Sequence, residues 1–457
     1  MFINDFTLKV KAFLISIFFP ITICVISLLI WVTPAPFNWI FISVFFIFSF
    51  LPLFLKEGKT YLPLILTILI SSRKELVYDN IPIEIILMFT FAFISMIIFV
   101  IIYKCRFKKG DLMLPLCLLI LTLFISYIYN SIENSSLSSQ GILYLLYLFI
   151  TLLFYILISS IIGKGESLPY LCETISFISI LIILQICISY IQNGYVLYDN
   201  TSLQLGWSNN SDYPTIILII SLPLILLLIN RNKPLYLIPL FLNVIFIILL
   251  ATNIGILALI LSIIPIVLFA FRSYKRIYSY VSVTIISLFV ITFALLIAYN
   301  DYFNERILTA IKCLMFFQEG DSNLNSLFKQ ASEAITSNPY VGKSITFYIN
   351  NNTTEYFSSN TFLTTLVLGG GLSLCAYFYL DIKAYYYCMT KKGNEKQLFL
   401  FFLILFEFVG LLSNTLYSIN VLLFYLFFNS VYQMSNRIDN ILVHDIYNIK
   451  KKKHKKY

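Results

Sequence analysis

The stretch IPIEIILMFTFAFISMIIFVIIYKCRFKK, residues 81–109, decides the fold class. From 83 to 103 it is an apolar run that makes ~31 Å of helix, enough to cross a hydrocarbon core of about 30 Å. A basic cluster of Lys104, Arg106, Lys108 and Lys109 closes it. Similar runs of about 17 to 22 residues recur along the chain. Hydrophobic residues make up 60% of it and charged residues 12%, against roughly 25% charged in an average soluble domain. The sequence predicts an all-α, polytopic integral membrane protein of about 12–14 transmembrane helices.

Hydropathy and flanking charge mark fourteen candidate helices, at about 12–32, 38–55, 60–72, 83–103, 112–129, 141–162, 169–191, 214–230, 234–251, 254–271, 278–299, 361–380, 397–413 and 418–434. The third is too short for an unaided span, so tilt, local thinning and a re-entrant path all stay open. The organisation that follows is a helical bundle over 1–299, a large extracytoplasmic loop over 300–360, further transmembrane helices over 361–434 and a basic tail over 435–457.

Positive charge near helix ends is retained on the cytoplasmic side. Lys9 and Lys11, the 104–109 cluster, Arg231 with Lys233, Arg272 with Lys275 and Arg276, and Lys391 with Lys392 and Lys396 all fall on one face of this arrangement. The opposite loops 33–38, 130–140 and 192–213 contain no Lys or Arg, in a chain of net charge +9. Arg73 and Lys74, beside the short third span, are the one dissenting pair. Both termini are expected in the cytoplasm, with the first helix an uncleaved anchor.

Of the eight Cys only Cys313 falls in the large outer loop, so no disulfide framework is expected. The two His, His444 and His454, lie in the tail, and no metal site or cofactor is predicted. The tail IKKKKHKKY reads as a topology anchor drawn to anionic inner-leaflet lipid, not a nucleic-acid site. Within the spans Glu407 is the clearest ionisable group, and such a group needs a bundle interior, a partner or water. A proton relay, a substrate contact and a packing group protonated or bonded to Asn414 are the readings open for it. Gln185, Asn243 and Asn253 are placed to bond across helices.

The 192–213 loop carries NGYVLYDNTSLQLGWSNNSDYPT, with Tyr195, Tyr198 and Trp207 beside the amides and carboxyl of Asn210 and Asp212. Aromatics beside such groups can stack on sugar rings, and aromatics also collect at any membrane interface. In the 300–360 loop Ile307, Ala310, Ile311, Leu314 and Met315 recur at helical spacing, as do Leu324, Leu327, Phe328, Ala331 and Ile335. Ser337-Asn338-Pro339 with Gly342 ends the second run. Two amphipathic helices on the outer leaflet fit this pattern. Arg306, Lys312, Lys329 and Lys343 stand there against the positive-inside bias, which points to an anionic partner such as a phosphate or pyrophosphate headgroup.

From about Trp207 to Asn420 the order of elements resembles the O-antigen polymerase and O-antigen ligase superfamily. WSNNSDYPTIILIISLP is similar to its Gly-x-x-Asn-Pro-Asn stretch, and ATNIGILALILSIIPIVLF to its small-residue-rich helix. Over 306–342 an Arg, a helix, an Asp-x-x-Ser-like turn, a helix bearing Phe328 and a Pro-x-x-Gly follow in the family's order. Ser359-Asn360 stands where the family has His-Asn, ahead of GGGLSLCAYF. Ile254 and Leu324 occupy places where relatives carry Arg, and with Ser359 in place of the His no catalytic His transfers to this chain.

The resemblance implies a metal-independent glycosyltransferase of the bacterial cytoplasmic (inner) membrane. Its substrate would be an undecaprenyl-pyrophosphate-linked oligosaccharide, its solvent membrane lipid, and its pathway partners a chain-length regulator and a flippase. Arg306 is the first candidate to stabilise the leaving pyrophosphate, with Lys343 and Lys329 next. Glu355 and Asn360 are candidates to orient or deprotonate the acceptor, and Asp212, Asn210, Trp207 and Ser359 to bind glycan. The alternatives are a ligase moving finished glycan to lipid A core or another acceptor, and a flippase acting without chemistry. The sidedness is tested with single cysteines in a Cys-free variant. Position 322 is expected to react with an impermeant reagent in intact cells and position 107 only after lysis; the reverse would overturn the topology.

Overall fold

The apolar runs fold as helices, and among the described residues there is no strand. The computed structural model describes residues 2–33, 38–55, 58–71, 83–105, 110–133, 139–162, 167–193, 212–231, 233–250, 252, 254–262, 335–343, 360–390, 395–412 and 421–433, with isolated positions between 287 and 332. In chain order the helices are α1 (Phe2–Ile15), α2 (Phe18–Val32), α3 (Asn38–Leu55), α4 (Tyr61–Ser71), α5 (Ile83–Ile102), α6 (Met113–Glu133) and α7 (Ser139–Ile161). They continue with α8 (Ser167–Asn193), α9 (Asp212–Asn230), α10 (Leu237–Leu250), a helical stretch 254–262, α11 (Thr361–Thr390), α12 (Glu395–Leu412) and α13 (Val421–Gln433).

The expected first span, 12–32, is two helices. The described parts of α1 and α2 meet at 74° across Ser16 and Ile17. Pro20 is the cause: it has no N–H for the Ser16 carbonyl, and its ring crowds that carbonyl. Ser16 caps the break instead, its hydroxyl donating to Phe13 O at 2.6 Å and accepting from Phe18 N–H at 3.3 Å.

The short third span has a different solution from tilt or thinning. At ~1.5 Å per residue α4 is only about 16 Å long, and every side chain from Tyr61 to Ile68 is buried. It lies among α2, α3, α5 and α8, so protein meets its sides. A hydroxyl chain anchors it: Tyr61 donates to Ser95 Oγ at 2.7 Å, and Ser95 donates to Ser49 O at 2.6 Å, tying α4 to α5 and α3.

Helix α9 is buried all round from Pro214 to Ile229 and packs on α8, α10 and α12. A helix apolar on every face belongs in such a centre. Asn243 bonds across helices as expected, donating to Ser221 Oγ at 2.6 Å. Gln185 does not, since both of its side-chain polar atoms are buried without a partner; Asn253 lies outside the described residues. Helices α12 and α13 run antiparallel on a ladder of ring contacts. Phe399 meets Tyr432 at 3.8 Å, Phe402 meets Phe428 at 4.4 Å and Phe406 meets Tyr425 at 4.3 Å between centroids.

Polar contacts tie several helix ends to their neighbours. Lys59 lies over the Tyr170 ring, Lys233 pairs with Glu173, and Asp111 N–H and Tyr387 OH both donate to Gln433. Outward faces stay apolar: on α6, Leu114, Leu118, Leu121, Phe124, Ile125 and Ile128 are all exposed. Among the described residues four helical stretches are long and apolar enough to cross a membrane, one of them 361–390 taken across its break at Gly370, or five with α1 and α2 counted as one broken span; five further apolar helices are shorter. The expected amphipathic helices of the 300–360 loop lie outside the described residues except for its end, where helix to Ser337 gives way to a turn over 339–341 as the Pro339 signal predicts.

Candidate functional site

Helix α11 contains a true break. Gly370 sits at φ 66°, ψ −167°, inside the run Gly369-Gly370-Gly371. Only glycine adopts that backbone readily. A continuous helix would place Phe362 and Tyr377 ~22 Å apart along the axis, yet their ring centroids are 5.3 Å apart, and Phe362 meets Phe378 at 5.8 Å. The break therefore folds the segment 361–369 back against 371–390. The expected span 361–380 is corrected accordingly: the uninterrupted helix is 371–390, with 361–369 a separate half-helix.

The Pro339–Lys343 turn fills the break. Gly371 N–H donates to Pro339 O at 2.8 Å and Leu372 N–H to Tyr340 O at 3.3 Å, pairing the amides that the break frees. On the other side Lys343 N–H donates to Val367 O at 2.8 Å and Ser126 Oγ to Leu368 O at 2.7 Å. Asn130 on α6 holds the turn, donating to Gly342 O at 3.2 Å. Gly342 has φ 73°, and a Cβ there would stand 2.5 Å from Gly370 N, so the two backbones meet with no room for a side chain.

Two of the sequence-predicted residues come together on this half-helix. Lys343 is at its far end through the Val367 bond, and Asn360 begins it, about 10 Å away along the helix. Asn360 is its N-cap: Oδ1 accepts from Leu363 N–H at 2.9 Å, while Nδ2 donates to Leu411 O at 3.1 Å on α12. Both polar atoms of that side chain are thus committed to positioning. Asp212 opens α9. Arg306, Lys329, Glu355, Ser359, Trp207 and Asn210 lie outside the described residues.

Below the break is a polar group that the sequence reading missed in part. Glu407 takes its hydrogen bond from Tyr377 OH at 2.9 Å, and that contact comes from α11; Asn414 lies outside the described residues. Asp381, which the expected span left at its inner edge, is buried beside Glu407, and both line one cavity of about 540 Å³. Asp381 is hydrogen-bonded to Glu407, and the Tyr377 and Tyr425 hydroxyls also bond to Asp381, so the two acids and the two tyrosines form one buried polar cluster. The signal was present in the i, i+4 spacing of Tyr377, Asp381 and Tyr385, which puts all three on one helix face. Among the described residues no group of three or more His, Cys, Asp or Glu side chains is placed to hold a metal ion.

The sequence matches no family model, and no curated protein matches it.

The break makes a steric prediction. Gly342→Ala and Gly370→Ala each combine positive φ with a contact of 2.5 Å or less to backbone, whereas a Cβ at Gly371 meets Pro339 O at an ordinary 3.5 Å. The first two are expected to lose about 1–3 kcal/mol or more to backbone strain and clash. Thermal unfolding of the purified protein should show both well below Gly371→Ala, which stays near the parent.

Proposed function

We propose that this chain is a polytopic protein of the bacterial cytoplasmic membrane that joins undecaprenyl-pyrophosphate-linked oligosaccharide units into O-antigen or capsular polysaccharide at the outer face. The membrane part rests on the exposed apolar faces of the long helices, since a face such as that of α6 is stable against lipid and not against water. The transferase part rests on one observation. Pro339-Tyr340-Val341-Gly342, the end of the 306–342 segment on which the family resemblance is strongest, is seated in a glycine-broken helix, with Lys343 at one end of the half-helix and Asn360 at the other. Irregular backbone at such a place is tolerated where it is buried in protein or lines a cavity, and broken helices are where membrane proteins build substrate sites.

The chemistry asks for two things. The pyrophosphate leaves the anomeric carbon, so negative charge grows on phosphate oxygens, and the acceptor hydroxyl loses its proton. Arg306 answers the first through a planar fork that matches phosphate oxygens, with Lys343 and Lys329 the further point charges assigned to the same role. One such preorganised donor is typically worth about 3 to 4 kcal/mol, or ~10²–10³ in rate. Glu355 is the carboxylate assigned to the acceptor, and Trp207, Asn210, Asp212 and Ser359 to the glycan. Asn360 acts through the half-helix it caps.

In a reconstituted polymerisation assay, Arg306→Ala should lose about 10²–10³ in rate and Arg306→Lys retain part of it, at equal expression. Full activity in Arg306→Ala removes that assignment. The reaction class is read from surface glycan of a deletion strain on gels. A polymerase defect leaves exported single units without long polymer. Long carrier-linked polymer left unattached identifies a ligase, and units trapped inside the cell identify a flippase.

A further inference from the structure

Helix α1 does not extend the span that follows it. From Leu8 to Ile15 it makes ~12 Å of helix, and at 74° to α2 that adds only ~3 Å along the α2 axis. Its C-terminal end is fixed by protein: Tyr170 on α8 donates to Leu14 O at 3.0 Å, and the Phe13 ring meets Phe19 at 5.9 Å and Phe48 at 6.4 Å. Beyond Phe48, α3 runs on a further seven residues to Leu55, so α1 rests against the side of the bundle near its end and not beneath it. At ~100° per residue Val10, Phe13 and Leu14 share the face that packs on the core. Leu8, Ala12 and Ile15 fall within ~60° of one another on the opposite face, where Leu8 is 66% exposed and Ala12 is exposed too. Lys9, exposed, and Lys11, half-buried, flank this second apolar strip on its two sides. Lys59 joins them through Tyr170, over whose ring it lies at 5.4 Å. Asp5, the acid of α1, offsets one of these three charges at most, so the group stays cationic.

We infer that α1 lies in the plane of the membrane at the cytoplasmic end of the bundle and is a binding surface for the headgroups of anionic phospholipid. The angle sets its depth. A helix nearly perpendicular to α2 stays at one level of the bilayer, and an apolar face turned away from the bundle at that level is stable against acyl chains and not against water. The lysines select the headgroup. Each stem lies along the apolar strip while its ammonium reaches the phosphate level, and an ammonium carries three donors, so a neighbour within the chain leaves others for phosphate oxygens. Cations on both edges of the strip favour a headgroup of net negative charge over a zwitterionic one. The Tyr170 bond and the Phe13 contacts fix which face of α1 turns outward, so the surface is preformed by the bundle.

The inference rests on the membrane part of the proposed function and not on the transferase part. Full-length, otherwise Cys-free protein carries a nitrobenzoxadiazole dye on a single cysteine at position 8 or, as a control in the middle of α2, at position 25, where Val25 is 49% exposed. Each is reconstituted in phosphatidylcholine vesicles. Lipids spin-labelled near the headgroup are expected to quench the dye at 8 more than lipids labelled deep in the chain, and the order is expected to reverse at 25. Headgroup-labelled phosphatidylglycerol is expected to reach the dye at 8 with about fivefold higher apparent affinity than the matching phosphatidylcholine, the factor for one lysine near an anionic surface. Lys9→Gln/Lys11→Gln is expected to remove that preference without changing the depth. A dye at 8 that lies as deep as the one at 25 overturns the proposal, as does one that no lipid reaches because water or another protein covers the strip. Equal quenching by the two headgroups overturns it too, and so does a preference that persists in the double variant. A dye at 25 that no lipid quenches overturns the membrane reading and the α1 surface together; the other outcomes overturn the α1 surface alone.

Discussion

Opening a helix in its middle strands amides on one side and carbonyls on the other, and the architecture of the C-terminal half depends on how those groups are paired at Gly370. Gly371 and Leu372 give their N–H groups to Pro339 and Tyr340, and Val367 and Leu368 give their carbonyls to Lys343 and Ser126. Four hydrogen bonds thus hold the break open. Each group left bare would cost about 1–3 kcal/mol in a protein interior and more in hydrocarbon. Without the turn the helix would close, and Phe362 would be carried away from Tyr377 and Phe378. The three contributors, a Pro-x-x-Gly turn, a triple glycine and two polar residues on α6, are distant in sequence and stabilise one another only when all are present.

How much of this was legible in the sequence depended on whether the signal was local. Pro339 and Gly342 marked a turn because their backbone preferences act on their own residues, whereas Gly369–Gly371 passed as part of one span over 361–380. That the turn seats in the glycine break is a contact between segments, and no periodicity carries it. Span boundaries failed for the same reason. Hydropathy put 12–32 in one helix because an average over apolar neighbours hides a single Pro20, although its missing N–H decides the outcome. It ended the twelfth span at 380 because Asp381 and Lys383 lower the average, and so it missed an acid that α11 carries inside the bundle. Glu407 stood out from its own flanks, while its partner Tyr377 could not be found without the fold. The residues assigned to pyrophosphate and glycan chemistry are legible only as charges and aromatics on the outward side, since most of them fall outside the described residues.

The buried interior of this bundle is mostly apolar, and the fewer polar groups inside it must be satisfied there. Ser and Thr hydroxyls on buried faces donate back to carbonyls three or four residues earlier, as Ser49, Thr174, Ser262 and Thr365 do. That is how a hydroxyl is carried through an apolar environment without a tertiary partner. Where tertiary polar bonds do occur they fall at seams that must keep register: α3 with α4 and α5 at Ser95, α7 with α13 at Ser159 and Ser430, and α9 with α10 at Asn243. Packing between apolar faces is nearly indifferent to a slip when lipid is the competing solvent, so register needs directional bonds. The short α4 illustrates the result. Its position is fixed by the Tyr61–Ser95–Ser49 chain, because its length cannot be matched to a bilayer.

The half-helix 361–369 joins the two polar regions of the C-terminal half. Its ends are tied to the turn through Val367 and to α12 through Asn360, while Phe362 on its first turn lines the groove over Asp381 and Glu407. At the Gly370 end the half-helix is fixed, since Gly342 and Gly370 meet backbone to backbone. Its other end is held to α12 through a single side-chain amide bond from Asn360.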